Sequence, residues 1–182
     1  EYADVFAGTQ SGDDARYRRN FWELPQLNES WCKWMTAPRL NEEFSGREHI
    51  AYWNSTPDSL SASDGAVLRG SGAWNQLGVL VARAGAQPVA IYTGDRFSDS
   101  VAAIIPRKLE DLPAVYCYLK SGQYLAEVRK LNSKVVIANR TLVQVPFDRD
   151  AWSEEGSQQF PAGLPSEHSN NPTQWLFQGP PA

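Results

Sequence analysis

Three short apolar runs rich in β-branched residues follow one another in the middle of the chain: Gly78-Val79-Leu80-Val81-Ala82, Val89-Ala90-Ile91-Tyr92 and Val101-Ala102-Ala103-Ile104-Ile105. Gly, Asp and Pro turns separate them, which is the pattern of successive strands. Helical spacing takes over immediately afterwards. Asp111-Leu112-Pro113 begins a run to Lys120 whose Leu112, Val115, Tyr116 and Leu119 fall on one face, and Pro113 suits a first helical turn. A second helical piece over Gln123 to Leu131 brings Tyr124, Leu125, Val128 and Leu131 together. Strands followed by a helix pair within residues 109–131 predict an α+β domain, a mixed and mostly antiparallel sheet with the helix pair packed on it.

The flanks are less regular. Gly8-Thr9-Gln10-Ser11-Gly12-Asp13-Asp14 suits a turn, and Arg16 to Glu23 a strand entering the core. Residues 24–75 read as irregular, apart from apolar pieces such as Ile50-Ala51-Tyr52-Trp53. Val135-Val136-Ile137-Ala138 and Leu142-Val143-Gln144-Val145 predict two further strands, and Arg149 to Glu155 a short helix. Five of the twelve prolines fall in the last 27 residues. The expected organisation is one domain over 1–155 and an extended Pro-rich C-terminal tail over 156–182 that packs on it.

Hydrophobic residues make up 42% of the chain, enough for a packed core, and no apolar run approaches the ~18 residues of a membrane span. The start, Glu1-Tyr2-Ala3-Asp4, has neither Met nor the basic and apolar regions of a signal peptide, so the chain is expected to be a piece of something longer. The net charge of −4 hides an asymmetry: Arg16 to Arg149 holds all 17 basic residues but only 13 of the 21 acids. Twelve of those bases are Arg, whose planar fork favours bidentate recognition over diffuse attraction. Two cysteines, Cys32 and Cys117, and two histidines, His49 and His168, stand at unrelated spacings that make a poor metal site. A pair of reduced thiols is the expectation.

Catalytic patterns are missing. The Gly8–Gly12 segment lacks the Gly-Lys-Ser/Thr of a P-loop and the third glycine of a dinucleotide loop. No Gly-x-Ser-x-Gly occurs, and the paired carboxylates Glu42-Glu43 and Glu154-Glu155 lie in polar company. No active site, metal or cofactor is expected within this segment.

Four ordered blocks carry a resemblance. Gly12-Asp13-Asp14-Ala15-Arg16-Tyr17-Arg18-Arg19, leading to Phe21-Trp22-Glu23, is similar to the block that opens the specificity region of large adenine-specific DNA methyltransferases. These are the Type IIG restriction-modification enzymes and the PglX-like methylases of phage defence. Ile91-Tyr92-Thr93-Gly94-Asp95-Arg96-Phe97 with Ala103-Ile104-Ile105-Pro106 resembles a downstream block, as does Leu112-Pro113-Ala114-Val115 with Ser121 closing its helix. Phe160-Pro161-Ala162-Gly163-Leu164-Pro165, then Asn171-Pro172-Thr173-Gln174-Trp175-Leu176-Phe177, resembles the family's ending. There are departures: Gln10-Ser11 stands where Thr usually precedes the first Gly-Asp, and neither the Asn/Asp-Pro-Pro-Tyr/Phe motif nor the Phe-x-Gly-x-Gly loop occurs.

The resemblance therefore implies a DNA target-recognition domain of the cytoplasm of a bacterium or archaeon. S-adenosylmethionine would be bound by a separate methyltransferase domain of the same parent chain. The partners it implies are that domain and double-stranded DNA, which is held while the target adenine is flipped.

On that footing, alternation along a strand would put Arg16 and Arg18 on one face, towards DNA. Arg19 would join them or pair with Asp13, Asp14 or Glu23, and Arg16 and Arg18 have the same carboxylates as alternative partners. Arg39, Arg47, Arg69 and Arg96 lie in loop surroundings with Gly or Pro nearby, where irregular backbone can be aimed into a groove. Tyr17, Phe21, Trp22 and Trp152 read as core. Trp53 and Trp74 precede Asn54 and Asn75, and Asn can pair with the major-groove edge of adenine, which makes Trp74 a further candidate. Two other functions fit the composition: a structural domain for subunit contacts, with an exposed apolar patch, and an aromatic-rich carbohydrate-binding module.

Overall fold

The computed structural model describes residues 2–25, 28–39 and 41–166. In chain order the elements are β1 (Ala3–Ala7), α1 (Asp14–Tyr17), β2 (Arg18–Asn20), β3 (Trp31–Met35), β4 (His49–Tyr52), β5 (Gly78–Ala82), β6 (Val89–Tyr92), β7 (Arg96–Phe97), β8 (Val101–Pro106), α2 (Leu112–Lys120), α3 (Gly122–Leu131) and α4 (Arg149–Gln159). The fold is α+β, with antiparallel pairing dominant, as the pattern predicts. One expectation is corrected: the strands form two four-stranded sheets, not one, in the orders β1-β8-β5-β6 and β2-β4-β3-β7. Only the β3–β7 pairing is parallel.

In the first sheet β5, β6 and β8 are buried on both faces, and this is why they read as unbroken apolar runs. Val79, Val81, Val89, Ile91, Ala102 and Ile104 point to the helices, where they meet Leu112, Val115, Leu119, Tyr124 and Val128. Leu80, Tyr92, Val101, Ala103 and Ile105 point the other way, onto Met35, Ala73 and Phe97. Each fully buried Val, Leu or Ile contributes roughly 1.5–3 kcal/mol. A smaller cluster of Tyr17, Trp34, Ala51 and Leu60 lies on the second sheet.

The helix pair forms where expected. Ser121 separates α2 from α3: its hydroxyl donates to the Tyr118 carbonyl at 2.7 Å and accepts from the Tyr124 amide at 3.1 Å. One side chain thus serves a helix end and a helix start. α4 packs on α2 through Gly156, where an added Cβ would lie 2.9 Å from the Ala114 nitrogen, so only glycine allows this approach.

The flanks depart from expectation in four places. Asp13 accepts from the Arg16 amide at 3.0 Å and caps a helical turn, so Arg16 belongs to α1 and only Arg18 begins the strand. Residues 24–75 contain β3 and β4. Val135–Ala138 makes no strand: Val136 forms a single bridge to Ala84, and Asn139–Val143 follows as a 3-10 helix. Val135 and Val136 stay 77% and 50% exposed, so nothing apolar holds them extended against a neighbour. Finally, α4 runs to Gln159, into the segment expected as tail. The Asn171–Phe177 block, His168 and most of the proposed tail lie outside the described residues.

Candidate nucleic-acid interface

Register in the second sheet sets one row of residues directly across all four strands. Asn20 faces His49, His49 faces Trp34, and Trp34 faces Arg96. Three steps at the usual strand spacing of ~4.8 Å put about 14 Å between the row's ends. Arg18 shares this face, being paired with Ala51 two rungs along, while the middle of the face, Trp34 and Ala51, is buried with Leu60 and Trp53.

At the β2 end lies an open cleft of about 360 Å³ lined by Asp14, Arg18, Arg19, Asn20, Glu23 and His49. Arg18 reaches Asp14 at 3.0 Å, which realises one of the alternatives that the sequence leaves open. Arg19 is used differently. Its Nη1 donates to the carbonyls of Ala15 and Arg18 at 2.6 and 2.7 Å, so it braces the end of α1 instead of pairing with a carboxylate. Glu23 accepts from the Asn20 side chain at 2.6 Å. Burial first, and then the charge of Arg18, hold the His49 imidazole below its usual value; Arg39 adds to this, while Glu48 and Asp14 oppose it. Arg18 thus shares the cleft with His49, and exposed Arg39 acts on the imidazole more weakly.

At the β7 end, Arg96 sits in a corner made by two indoles. Its guanidinium carbon lies 4.7 Å from the ring centres of both Trp53 and Trp74, whose planes meet at 87°. Cation–π contact of this kind contributes about 0.5–2 kcal/mol each. Among the described residues Arg96 has no ion-pair partner, and its buried Nε has no hydrogen-bond acceptor. It borders a cleft of about 580 Å³ shared with Glu29, Ser30, Trp53, Asn54 and Ser61.

The other candidates scatter. Arg16 is exposed and lies 5.0 Å over the Tyr17 ring. Arg69 is exposed, with its backbone tied in both directions to the Thr9 hydroxyl. Arg47 is 5% exposed, donates to the Thr93 hydroxyl at 2.8 Å and sets its guanidinium carbon 4.9 Å from the Phe44 ring centre, so it braces the interior. Tyr17 and Phe21 are core, but Trp22 is 58% exposed, because its 3-10 turn aims Phe21 inward and Trp22 out. His49, Asn20 and Trp53 were not singled out as site residues from sequence. The Trp53-Asn54 pair was the visible signal for the last, whereas only strand register reveals the other two.

Cys32 and Cys117 are free thiols, and burial pushes Cys32 up to about 11, which keeps it inert. Among the described residues no group of three or more His, Cys, Asp or Glu could hold a metal ion, and no helix is long and apolar enough to cross a membrane. No family model and no curated protein sequence matches the chain. Among solved structures it is similar to the crystal structure of the HsdS subunit from Thermoanaerobacter tengcongensis, at 16% identity and a TM-score of 0.45. The match covers 96% of this chain and 39% of that one.

Proposed function

We propose that this chain is a DNA target-recognition domain, which holds a duplex at the open clefts flanking its second sheet while a separate domain does chemistry on a base. The observation that carries the proposal is a cationic side chain at each end of one face of a four-stranded sheet. Arg18 lies beside His49 on the cleft at the β2 end, and Arg96 is fixed between Trp53 and Trp74 at the β7 end. Arg18 and the exposed Arg39 suit phosphates, which set register, and the fixed Arg96 suits a base edge, which carries sequence information.

The ordered sequence blocks support the same reading. They extend it to a parent enzyme that methylates adenine with S-adenosylmethionine, of the Type IIG or PglX-like phage-defence kind, in the cytoplasm of a bacterium or archaeon. Sugar binding fits less well, since the clustered indoles of Trp53 and Trp74 are both occupied by Arg96.

A fluorescence-anisotropy titration of a labelled mixed-sequence duplex between 50 and 200 mM salt tests the proposal. Weak binding is expected, with log K falling against log salt by about 0.9 per phosphate neutralised. Absence of binding at the low salt, or binding indifferent to salt, overturns it.

A further inference from the structure

We infer that Arg96 reads the major-groove edge of a guanine, with Trp53 and Trp74 setting the plane of its guanidinium. This rests on the DNA reading above and goes beyond it by naming a base and the residue that reads it. Arg96 is half-buried on β7, cornered by two perpendicular indoles, and bordered by an open polar cleft. Among the described residues no carboxylate neutralises it and no acceptor meets its buried Nε. Arg96 lines that cleft, so a ligand that brings acceptors there can meet donors of its guanidinium.

The geometry of the site chooses the ligand. A phosphate accepts from a guanidinium in many orientations and needs no fixed plane, whereas the two indoles here hold one. Arginine offers donors only. Of the four bases, only guanine presents two adjacent acceptors, O6 and N7, in the major groove. Adenine sets a donor beside its N7, cytosine presents a donor, and thymine has a single acceptor flanked by a methyl group.

The test begins with selection of bound sequences from a random duplex library by the 182-residue chain. The selected site is expected to contain an obligate guanine, and 7-deazaguanine at that position should weaken binding by about 5- to 150-fold. Because this change is made in the DNA, it does not depend on any variant folding. Arg96→Met keeps an unbranched chain between the indoles and removes every donor. It should equalise the four bases at that one position while leaving the salt slope unchanged. Retention of the guanine preference by Arg96→Met, or an equal loss across all sequences with a slope smaller by about one, would show a different role for Arg96. If the chain binds duplex with a normal salt slope but tolerates 7-deazaguanine everywhere, this inference fails and the DNA reading stands. If it binds no duplex, both fail.

Discussion

Replacing Arg18 and Arg39 together by Ala removes the two arginines assigned to phosphates and leaves the row from Asn20 to Arg96 in place. Each phosphate contact contributes about −0.9 to the slope of log K against log salt. Over a fourfold rise from 50 to 200 mM, one contact is therefore responsible for a roughly 3.5-fold loss and two for about 12-fold. The double variant should bind more weakly at 50 mM, and its affinity should then fall by about 12-fold less than that of the unaltered chain across the range.

The cost to folding is small by comparison. Arg18 and Asp14 are 31% and 50% exposed, and a solvent-screened pair at this i,i+4 spacing contributes about 0.3–0.5 kcal/mol. For a chain of this size that corresponds to a melting shift of about 1–2 °C. Anisotropy and thermal melting on the same preparation read both quantities. Parallel log–log plots for the two proteins would refute the assignment. A melting point lowered by many degrees with unchanged affinity per folded molecule would make Arg18 a brace for Asp14 and nothing more.

Gly8→Ala should lower the urea midpoint at constant m, by about 1–3 kcal/mol of stability, because its Cβ would lie 2.0 Å from the Ser98 carbonyl oxygen; an unchanged midpoint would contradict this packing. Tyr124→Phe removes the buried hydroxyl that donates to the Leu142 carbonyl at 3.1 Å, and should cost about 1 kcal/mol in the same assay. The depressed His49 pKa means that the unfolded chain takes up a proton more readily than the folded one. Its stabilising contribution is therefore present above the unfolded value of about 6.5 and is lost as pH falls through the lower folded value. Melting curves from pH 7 to 5 should fall less steeply for His49→Gln, and identical profiles would place the titration elsewhere.

What could be read from sequence follows from how each segment is buried. β5, β6 and β8 are covered on both faces, so every position is apolar and the runs stand out. α2 and α3 show helical spacing because one side packs on the sheet, and Ser121 marks their junction. The second sheet is different. β3 carries Lys33 between half-buried Cys32 and fully buried Trp34, and β2 is three residues long, so neither shows clean alternation. Arg16 was misplaced because the Asp13 cap, a purely local hydrogen bond, turned the chain before β2 began. The Arg96 corner was invisible for another reason. Trp53, Trp74 and Arg96 come from separate stretches and meet only when β7 pairs with β3 and the loop after β4 folds back over the sheet.

The pairing of β1 with β8 also bears on how the protein is made. Ala3 lies opposite Pro106, so a strand at the start of the chain waits for a partner roughly 100 residues later. At about 5–20 residues per second on the ribosome, β1 spends on the order of 5–20 s without its neighbour. β5, β6 and β8 can pair among themselves as they emerge, and β1 then closes on an edge already built. Until it does, that edge of β8 is an open template for another chain. Within this sheet the earliest strand is thus the last to dock, and the edge of β8 is protected only once β1 has closed on it.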